Sequence, residues 1–511
     1  MSADSRATLK NFVLLFSLTV LAILVQGYHP GLEDDAYYLA AIKHNLNPAL
    51  FPHDADFFQV LFQATAFDKL IAFFLRWTHI PIAWGLLLWQ VAATFLILWG
   101  CWRIARRCFA EEYAQWAAVS LVAALLTLPV SGTGLSLTDQ HLHPRALATA
   151  LILAAIVAVL DGRRVLAGLL LLAAFPLHLN MTPFGASYCF FLLWRGGRPF
   201  GELRAGSRPP ATTANPLTST LLMPMLFTPM LLMPMGWLFD PASDTWRQAA
   251  ATRDFYFLGR WHWYEWLGVV GPLAILWWFR SLALRRGQST LALVAERTVY
   301  FGIFQFAVAL ILMLPPPLER LRSLEPMRFL HLVYVFLVLL AGGLLGQYVL
   351  KRHTLRWLLL FVPLCAGMFS AQRQLYPATA HLELPGVPSS NGWVEGFRWI
   401  SHNTPVDSLF ALDPRYMELP GEDYHGFRAL AERSVLADAV KDPCIVVRVP
   451  RLGPRWVREL DAQQGWRDFQ RPDFLRLKAQ TGVDWVVLTQ PTVAGMTCPY
   501  RNDRVAVCRV E

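Results

Sequence analysis

The sequence predicts an all-α polytopic membrane bundle of about 11 transmembrane helices with a small C-terminal α/β domain. Three observations carry that prediction. Only 16% of the 511 residues are charged while 55% are hydrophobic, and soluble domains run nearer a quarter charged. Apolar stretches of about 20 residues, the length that crosses a bilayer core, recur as far as residue 371. From about Pro385 the pattern changes to short apolar strands alternating with helices.

Leu14–Val25 could pass for a signal-peptide core, but Gln-Gly-Tyr-His-Pro follows it instead of a small-residue cleavage site. It reads as a retained first span. Basic clusters then fall at Arg6/Lys10, Arg103–Arg107, Arg163-Arg164, Arg195–Arg208, Arg280–Arg286 and Lys351–Arg356. Cytoplasmic loops carry an excess of Lys and Arg. Placing all six clusters in the cytoplasm gives spans near 10–26, 80–102, 113–131, 144–160, 165–181, 183–195, 216–238, 264–280, 296–314, 327–350 and 355–371. The N-terminus is then inside. Loops 27–79, 131–143, 180–183, 240–263 and 315–326 lie outside with the tail. The net charge of +9 is spread over these loops and forms no stripe, so nucleic acid is excluded as a partner.

Within the membrane region, 1–371, loop 27–79 is far longer than a connection needs, and long loops carry function. Phe57–Trp77 inside it is apolar with scattered polar residues and reads as a helix lying in the interface. The seventh span carries Pro224, Pro229 and Pro234 with five Met nearby. It reads as a kinked, adaptable core helix more readily than as a soft-metal site. Residues 195–216 have the composition of a flexible linker.

In the tail, 385–511, helices are predicted over Trp393–Ser401 and Phe427–Val440. Strands are predicted over Ser408–Leu412, Cys444–Val449, Trp485–Leu488 and Val505–Val510. The tail has no Gly-rich phosphate loop, no Ser-His-Asp pattern and no CxxC, so recognition or shielding is its expected role. An extracytoplasmic tail can hold disulfides. Cys498 and Cys508 flank a turn-like Pro499–Asp503 stretch and are expected to pair, leaving Cys444 free.

Candidate chemistry gathers in the outer loops. The first offers Glu33, Asp34, Asp35, Asp54 and Asp56 with Lys43 nearby, and the second offers Asp139, His141, His143 and Arg145. The short loop before the tenth span offers Arg320, Arg322 and Arg328. A carboxylate can take a proton from an attacking hydroxyl, and arginine binds a phosphate bidentately. Each has a plainer reading. Asp34 is a natural helix N-cap, Asp54 can cap the next helix instead of binding a divalent ion, and Arg145 and Arg328 can serve as interfacial anchors. His141 and His143 lack an obvious third ligand for zinc.

This arrangement resembles the C-type (GT-C) glycosyltransferases, polytopic enzymes that use polyprenyl-phosphate-linked sugars. The likeness sits in a first span running into a long outer loop with paired acids, His29-Pro30-Gly31-Leu32-Glu33-Asp34-Asp35-Ala36-Tyr37-Tyr38. An interfacial helix, about a dozen spans and an extracytoplasmic C-terminal domain extend it. More narrowly, the chain is similar to bacterial membrane proteins of that superfamily in Leu50-Phe51-Pro52-His53-Asp54, in Leu324-Glu325-Pro326-Met327-Arg328, and in Asn403–Phe410. The resemblance implies a catalytic base at Asp34 or Asp35 with a following Tyr, here Tyr37 or Tyr38. It implies a divalent metal (Mg or Mn) in some members, for which Asp54 and Asp56 are the candidates here. No WWD-type acceptor motif is present, against an oligosaccharyltransferase.

The resulting expectation is a multi-pass enzyme of the bacterial inner membrane, embedded in membrane lipid. It would move a sugar from a polyprenyl-phosphate donor to an acceptor at the periplasmic face. Asp35 and Asp34 would be catalytic. Arg328, Arg320, Arg145, His141, His143, Tyr38 and Lys43 would bind substrate. A lipid or polysaccharide flippase and a non-catalytic scaffold are the alternatives.

Overall fold

The structure is a computed structural model that describes residues 3–62, 65–194 and 240–511. The chain is mostly helical, with a small sheet domain at its C-terminal end. The predicted seventh span and the 195–216 linker lie outside the described residues. Among those residues six helices are long and apolar enough to cross a membrane, as expected of a multi-pass membrane protein.

In chain order the membrane region holds α1 (Ala3–Gln26), α2 (Asp35–Leu46), α3 (Asp56–Phe62), α4 (Phe67–Thr78), α5 (Ile82–Cys108) and α6 (Glu112–Ala124). A two-stranded hairpin, β1 (Pro129–Val130) and β2 (Leu135–Ser136), precedes α7 (Pro144–Leu160), α8 (Arg164–Ala174) and α9 (Thr182–Leu193). Then come α10 (Asp244–Ala251), α11 (Trp263–Arg285), α12 (Ser289–Met313), α13 (Leu330–Leu345) and α14 (Thr354–Leu375). The long helices are α1, α5, α11, α12, the Pro326–Leu350 segment centred on α13, and α14. α7, α8 and α9 are apolar but shorter. The predicted third span, 113–131, is helical only to Ala124 before the chain enters the hairpin.

α13 is the most buried of the long helices. It packs against α6 because glycines let the backbones close. A Cβ on Gly342 would stand 2.7 Å from the Ala117 carbonyl oxygen, and one on Gly346 2.8 Å from the Ala114 Cα. The predicted interfacial helix is two helices, α3 and α4. α4 buries Phe67, Ile71 and Leu75 while Leu70, Phe73 and Trp77 line its outer edge, Trp77 being 76% exposed. That amphipathic layout suits a helix lying in a headgroup layer.

The tail contributes α15 (Gly392–Asn403), β3 (Leu409–Ala411), α16 (Phe427–Ala431), β4 (Ser434–Val435), α17 (Asp442–Arg448), α18 (Gly453–Ala462), α19 (Arg471–Thr481), β5 (Trp485–Thr489), β6 (Thr497–Arg501) and β7 (Val505–Arg509). Its sheet runs β4-β3-β5-β7-β6, parallel on the β4-β3-β5 side and antiparallel through β7 and β6. Cys498 and Cys508 are disulfide-bonded across β6 and β7, and Cys444 is free.

Two tail segments depart from the sequence reading. The helix from Phe427 stops at Ala431, where Glu432 turns left-handed (φ 56°), and Ser434–Val435 is a strand. Cys444–Val449 belongs to the helix α17, not to a strand. A continuous apolar run fits a buried helix as well as a buried strand, and Ile445, Val446 and Val447 are all buried. Pro443 near its start was the helix signal.

The tail grips the first outer loop. Tyr28 bridges to Leu382 and Leu32 to His425. Gly426 N–H donates to the Gly31 carbonyl (2.8 Å), and Glu33 N–H donates to the Tyr424 carbonyl (2.9 Å). Beneath these the tail's buried Arg428 donates to Asp54 (2.5 Å) and to Asp442 (2.9 and 3.1 Å). Glu383 Oε1 bridges His29 Nδ1 (3.1 Å) and His425 Nε2 (3.2 Å), while Glu422 accepts from His425 N–H. Loop 27–58 and the tail therefore lie on the same side of the bundle.

This second junction titrates. Burial opposes charge on Glu383, but hydrogen bonds from His29 and His425 hold its carboxyl at about 2. Burial likewise opposes charge on His425, but the Glu383 hydrogen bond and charge raise its imidazole from 6.5 to about 9. A depressed carboxyl contributes stability above its unfolded value near 4.5 and loses it as pH falls toward 2. A raised imidazole contributes fully below 6.5 and loses it as pH rises through 9. Glu422, pushed up mainly by burial, loses stability as pH rises above its unfolded value near 4.5. Thermal stability is therefore expected to decline between pH 6.5 and 9, by on the order of 3 kcal/mol at most from His425. His425→Gln should flatten that decline in a melting series, and an unchanged alkaline slope would remove this account.

Candidate functional site

The Pro30-Gly31 turn sets the geometry of the two acids that open α2. Gly31 sits at φ +85°, a conformation glycine adopts without steric cost. Its N–H donates to Asp35 Oδ2 at 2.6 Å. Asp35 is buried, and its Oδ1 has no hydrogen-bond partner. Burial raises its carboxyl pKa, and nearby His141 offsets only part of that. Asp34 differs in every respect. It occupies the N-cap position but makes no capping bond, and its side chain is 45% exposed. Lys441 Nζ stands 3.1 Å from its Oδ1, and His143 Nε2 3.8 Å from its Oδ2. Against the effect of burial, Lys441 and then His143 hold the Asp34 carboxyl well below the usual carboxylate range.

The second outer loop supplies the facing wall. His143 caps α7: its Nδ1 accepts the Arg145 N–H at 3.0 Å. An accepting Nδ1 puts the ring proton of the neutral imidazole on Nε2, the nitrogen nearest Asp34. The Tyr38 ring packs edge-on against His143 at 4.9 Å. Arg145 Nη2 binds both oxygens of Asp139 (2.5 and 2.6 Å), while its Nε and Nη1 are buried without partners. Burial opposes charge on Asp139, but Arg145 keeps its carboxyl well below the ordinary value. His141 is buried with both ring nitrogens unpartnered, 5.9 Å ring to ring from His143.

A third wall is cationic. Glu325, in the left-handed region at φ 53°, is ion-paired with Arg328 (2.8 Å) through one oxygen and with Arg448 (2.9 Å) through the other. Two guanidinium groups on one buried carboxylate leave a net positive charge. Burial and Asp34 push the Tyr38 phenol up, and the positive charges of Arg448 and Arg328 offset part of that.

The structure thus brings together Asp34, Asp35, Tyr38, His141, His143, Arg145 and Arg328 from the sequence-derived set. Four others go elsewhere. Lys43 Nζ binds Glu432 (2.6 Å) and the Ala429 carbonyl (2.7 Å), a contact that fastens α2 to the tail. Arg320 donates to the Pro241 carbonyl and lies 3.9 Å from Asp240. Asp54 and Asp56 do not fit a divalent ion. Asp54 Oδ2 is engaged by Arg428 and by Val435 N–H, and Asp56 opens α3 with its own side exposed. Among the described residues no group of three His, Cys, Asp or Glu side chains is placed to hold a metal.

Lys441 and Arg448 were missed in the sequence. Lys441 lies three residues before the segment misread as a strand and Arg448 lies within it, in a domain assigned no chemistry. No family model matches the chain, and no curated protein matches it.

The contrast between the two acids has a direct test in stability. Asp34→Asn should lower the melting temperature at neutral pH, a loss that disappears as pH falls through the carboxylate range, because the Asp34 carboxyl stabilises the fold only when ionised beside Lys441. Asp35→Ala should lower stability by about 1–3 kcal/mol, because it strands the Gly31 N–H inside the fold. The same pH dependence in the two losses, read by thermal denaturation, would contradict these assignments.

Proposed function

We propose that the protein is a membrane glycosyltransferase that moves a sugar from a polyprenyl-phosphate donor to an acceptor hydroxyl. The single observation that carries the reading is a partly exposed Asp34, its carboxyl held low by Lys441 and His143, in outer loops that also bring Arg145, Arg328 and the tail's Arg448 to that side of an apolar bundle. Within this reading Asp34 is the base and Asp35 fixes the turn that presents it. Asp34 Oδ2 takes the proton of the acceptor hydroxyl as that oxygen bonds to the anomeric carbon. The bond from that carbon to the phosphate oxygen breaks, and its electron pair leaves with the polyprenyl phosphate. The anomeric centre inverts. Arg328 and Arg448, with Arg145 behind them, stabilise the phosphate charge that develops.

The chain would cross the bacterial inner membrane eleven times, N-terminus in the cytoplasm and C-terminal domain in the periplasm. The first outer loop and the tail touch, which agrees with that layout, since they must share a compartment. A flippase would need charged or polar groups along a path through the spans. Two of the spans' polar groups, Gln90 and Gln305, are spent on the Asp139 carbonyl and on Ser187. A scaffold would tolerate loss of the carboxylate.

Loss of a general base costs about 10²–10⁴-fold in rate, so purified Asp34→Asn should lose transfer by that factor while Asp35→Asn stays much nearer wild type. Arg328→Lys keeps a cation but loses the planar fork, and a marked drop in turnover with normal membrane insertion is expected. Wild-type transfer in Asp34→Asn would refute the mechanism. Separately, cysteines introduced at the exposed positions Ala49 and Asn403 should both react with an impermeant reagent from outside intact cells. Labelling of one alone would break the proposed topology.

A further inference from the structure

We propose that the C-terminal domain is part of the active site, and that Lys441 is its positioning residue for the carboxylate of Asp34. The inference rests on the reading of Asp34 as the base. Its starting point is that Lys441 is 7% exposed and directs its ammonium at Glu33 and Asp34, across more than four hundred residues of chain. An ammonium so buried is costly unless paired, and both its partners lie in the first outer loop.

The surroundings give this lysine little freedom. Asp442, the next residue, is clamped by both terminal nitrogens of Arg428. Asp438 Oδ1 accepts from the backbone N–H of Val440, Lys441 and Asp442. Arg253 donates to the Val440 carbonyl, and Trp246 Nε1 to the Val447 carbonyl at 3.0 Å. The lysine thus leaves a backbone fixed from three elements and meets Asp34 from the side opposite His143.

The consequence is geometric. Lys441 takes Oδ1 at 3.1 Å, and the longer 3.8 Å separation from His143 leaves Oδ2 the less committed oxygen. A carboxylate fixed through one oxygen offers the other in a single orientation, which is what an in-line proton acceptor requires. Glu33 shares the ammonium, so two carboxylates meet one cation, and Asp34 is held while its side chain stays partly exposed.

Two effects on rate oppose each other. Removing the ammonium loosens Asp34 but also makes it a stronger base, so turnover alone does not separate a positioning role from a structural one. The pH profile does. Asp34 must be ionised to act, and activity falls as pH drops through its pKa. Lys441→Met should move the acid limb of kcat upward by about one unit or more, and Lys441→Arg, which retains the cation, should leave that limb near wild type.

A second readout is independent of turnover. Carbodiimide reacts with the protonated carboxyl, and mass spectrometry of the Asp34 peptide across pH 3–8 reports the titration in the full-length protein in detergent. The midpoint should rise in Lys441→Met and in Lys441→Gln, the second variant guarding against misfolding of the first. An unmoved midpoint in a folded variant overturns the proposal. A moved midpoint together with wild-type transfer in Asp34→Asn overturns the glycosyltransferase reading instead, so the two failures are distinguishable.

Discussion

The buried ion triad of Asp54, Arg428 and Asp442 is the constraint on which the outer half of the molecule depends. Arg428 comes from the tail, Asp54 from the first outer loop and Asp442 from the start of α17. Removing one partner from such a set leaves an uncompensated charge in a low-dielectric interior, at a cost of about 3–5 kcal/mol. Its geometry therefore fixes three segments at once: the loop that carries the acids, the α16 turn that packs Gly426 on Ala36, and the helix whose first residue follows Lys441. No Cβ fits at Gly426, since it would stand 2.5 Å from the Ala36 Cα. The glycine and the arginine, two residues apart, together set how closely the tail approaches α2.

From that junction the site follows without further long-range ordering. Backbone pairing of Leu32 with His425 and of Glu33 with Tyr424 lines up the loop. The Pro-Gly turn then places Asp35 inside and Asp34 outside, and Lys441 arrives beside Asp34 because Asp442 is anchored. A membrane bundle has little need of charged groups for its own cohesion, where apolar packing and close helix contacts suffice. The concentration of ionised groups where loop, tail and bundle meet belongs instead to function or to docking. Lys43, Asp54 and Arg428 fasten the tail to the loop; Asp34 stays partly exposed, and Arg328 and Arg448 share Glu325.

Much of this was legible in the residues. Apolar length gave the long helices, short continuous apolar runs gave β5 and β7, and the pair Asp34-Asp35 after a Pro-Gly turn marked the loop that matters. The disulfide followed from two cysteines flanking a turn. What escaped was whatever depended on a partner distant in sequence. Asp54-x-Asp56 has the spacing of a cation pair, and nothing local announces that an arginine 374 residues later will take one of the two. Lys43 sits within reach of the acids along the chain, yet the α2 face it occupies is covered by the tail. α17 was misread because Ile445, Val446 and Val447 are β-branched and continuous, a composition that favours strands until burial on all sides overrides it. Missing α17 as a helix meant missing the two cations at its ends.

The adjacent acids show how far environment, not identity, sets chemistry. Asp34 and Asp35 are covalent neighbours of the same type at the same helix terminus, where the backbone dipole favours both anions alike. A helix turns about 100° per residue, and that rotation sends one carboxyl under the Gly31 turn and the other to a partly exposed position beside Lys441. Once separated, they meet opposite forces. Burial without a full partner set drives Asp35 toward its neutral form, in which it still serves the turn as an acceptor. A fixed ammonium and an imidazole N–H on either side keep Asp34 charged. Proximity to a helix start therefore cannot choose between the two acids, and the choice falls to Lys441, a residue of the other domain. The docking of the domain on the acidic loop then has a physical consequence: without the domain, the outer carboxylate loses the ammonium that holds its Oδ1.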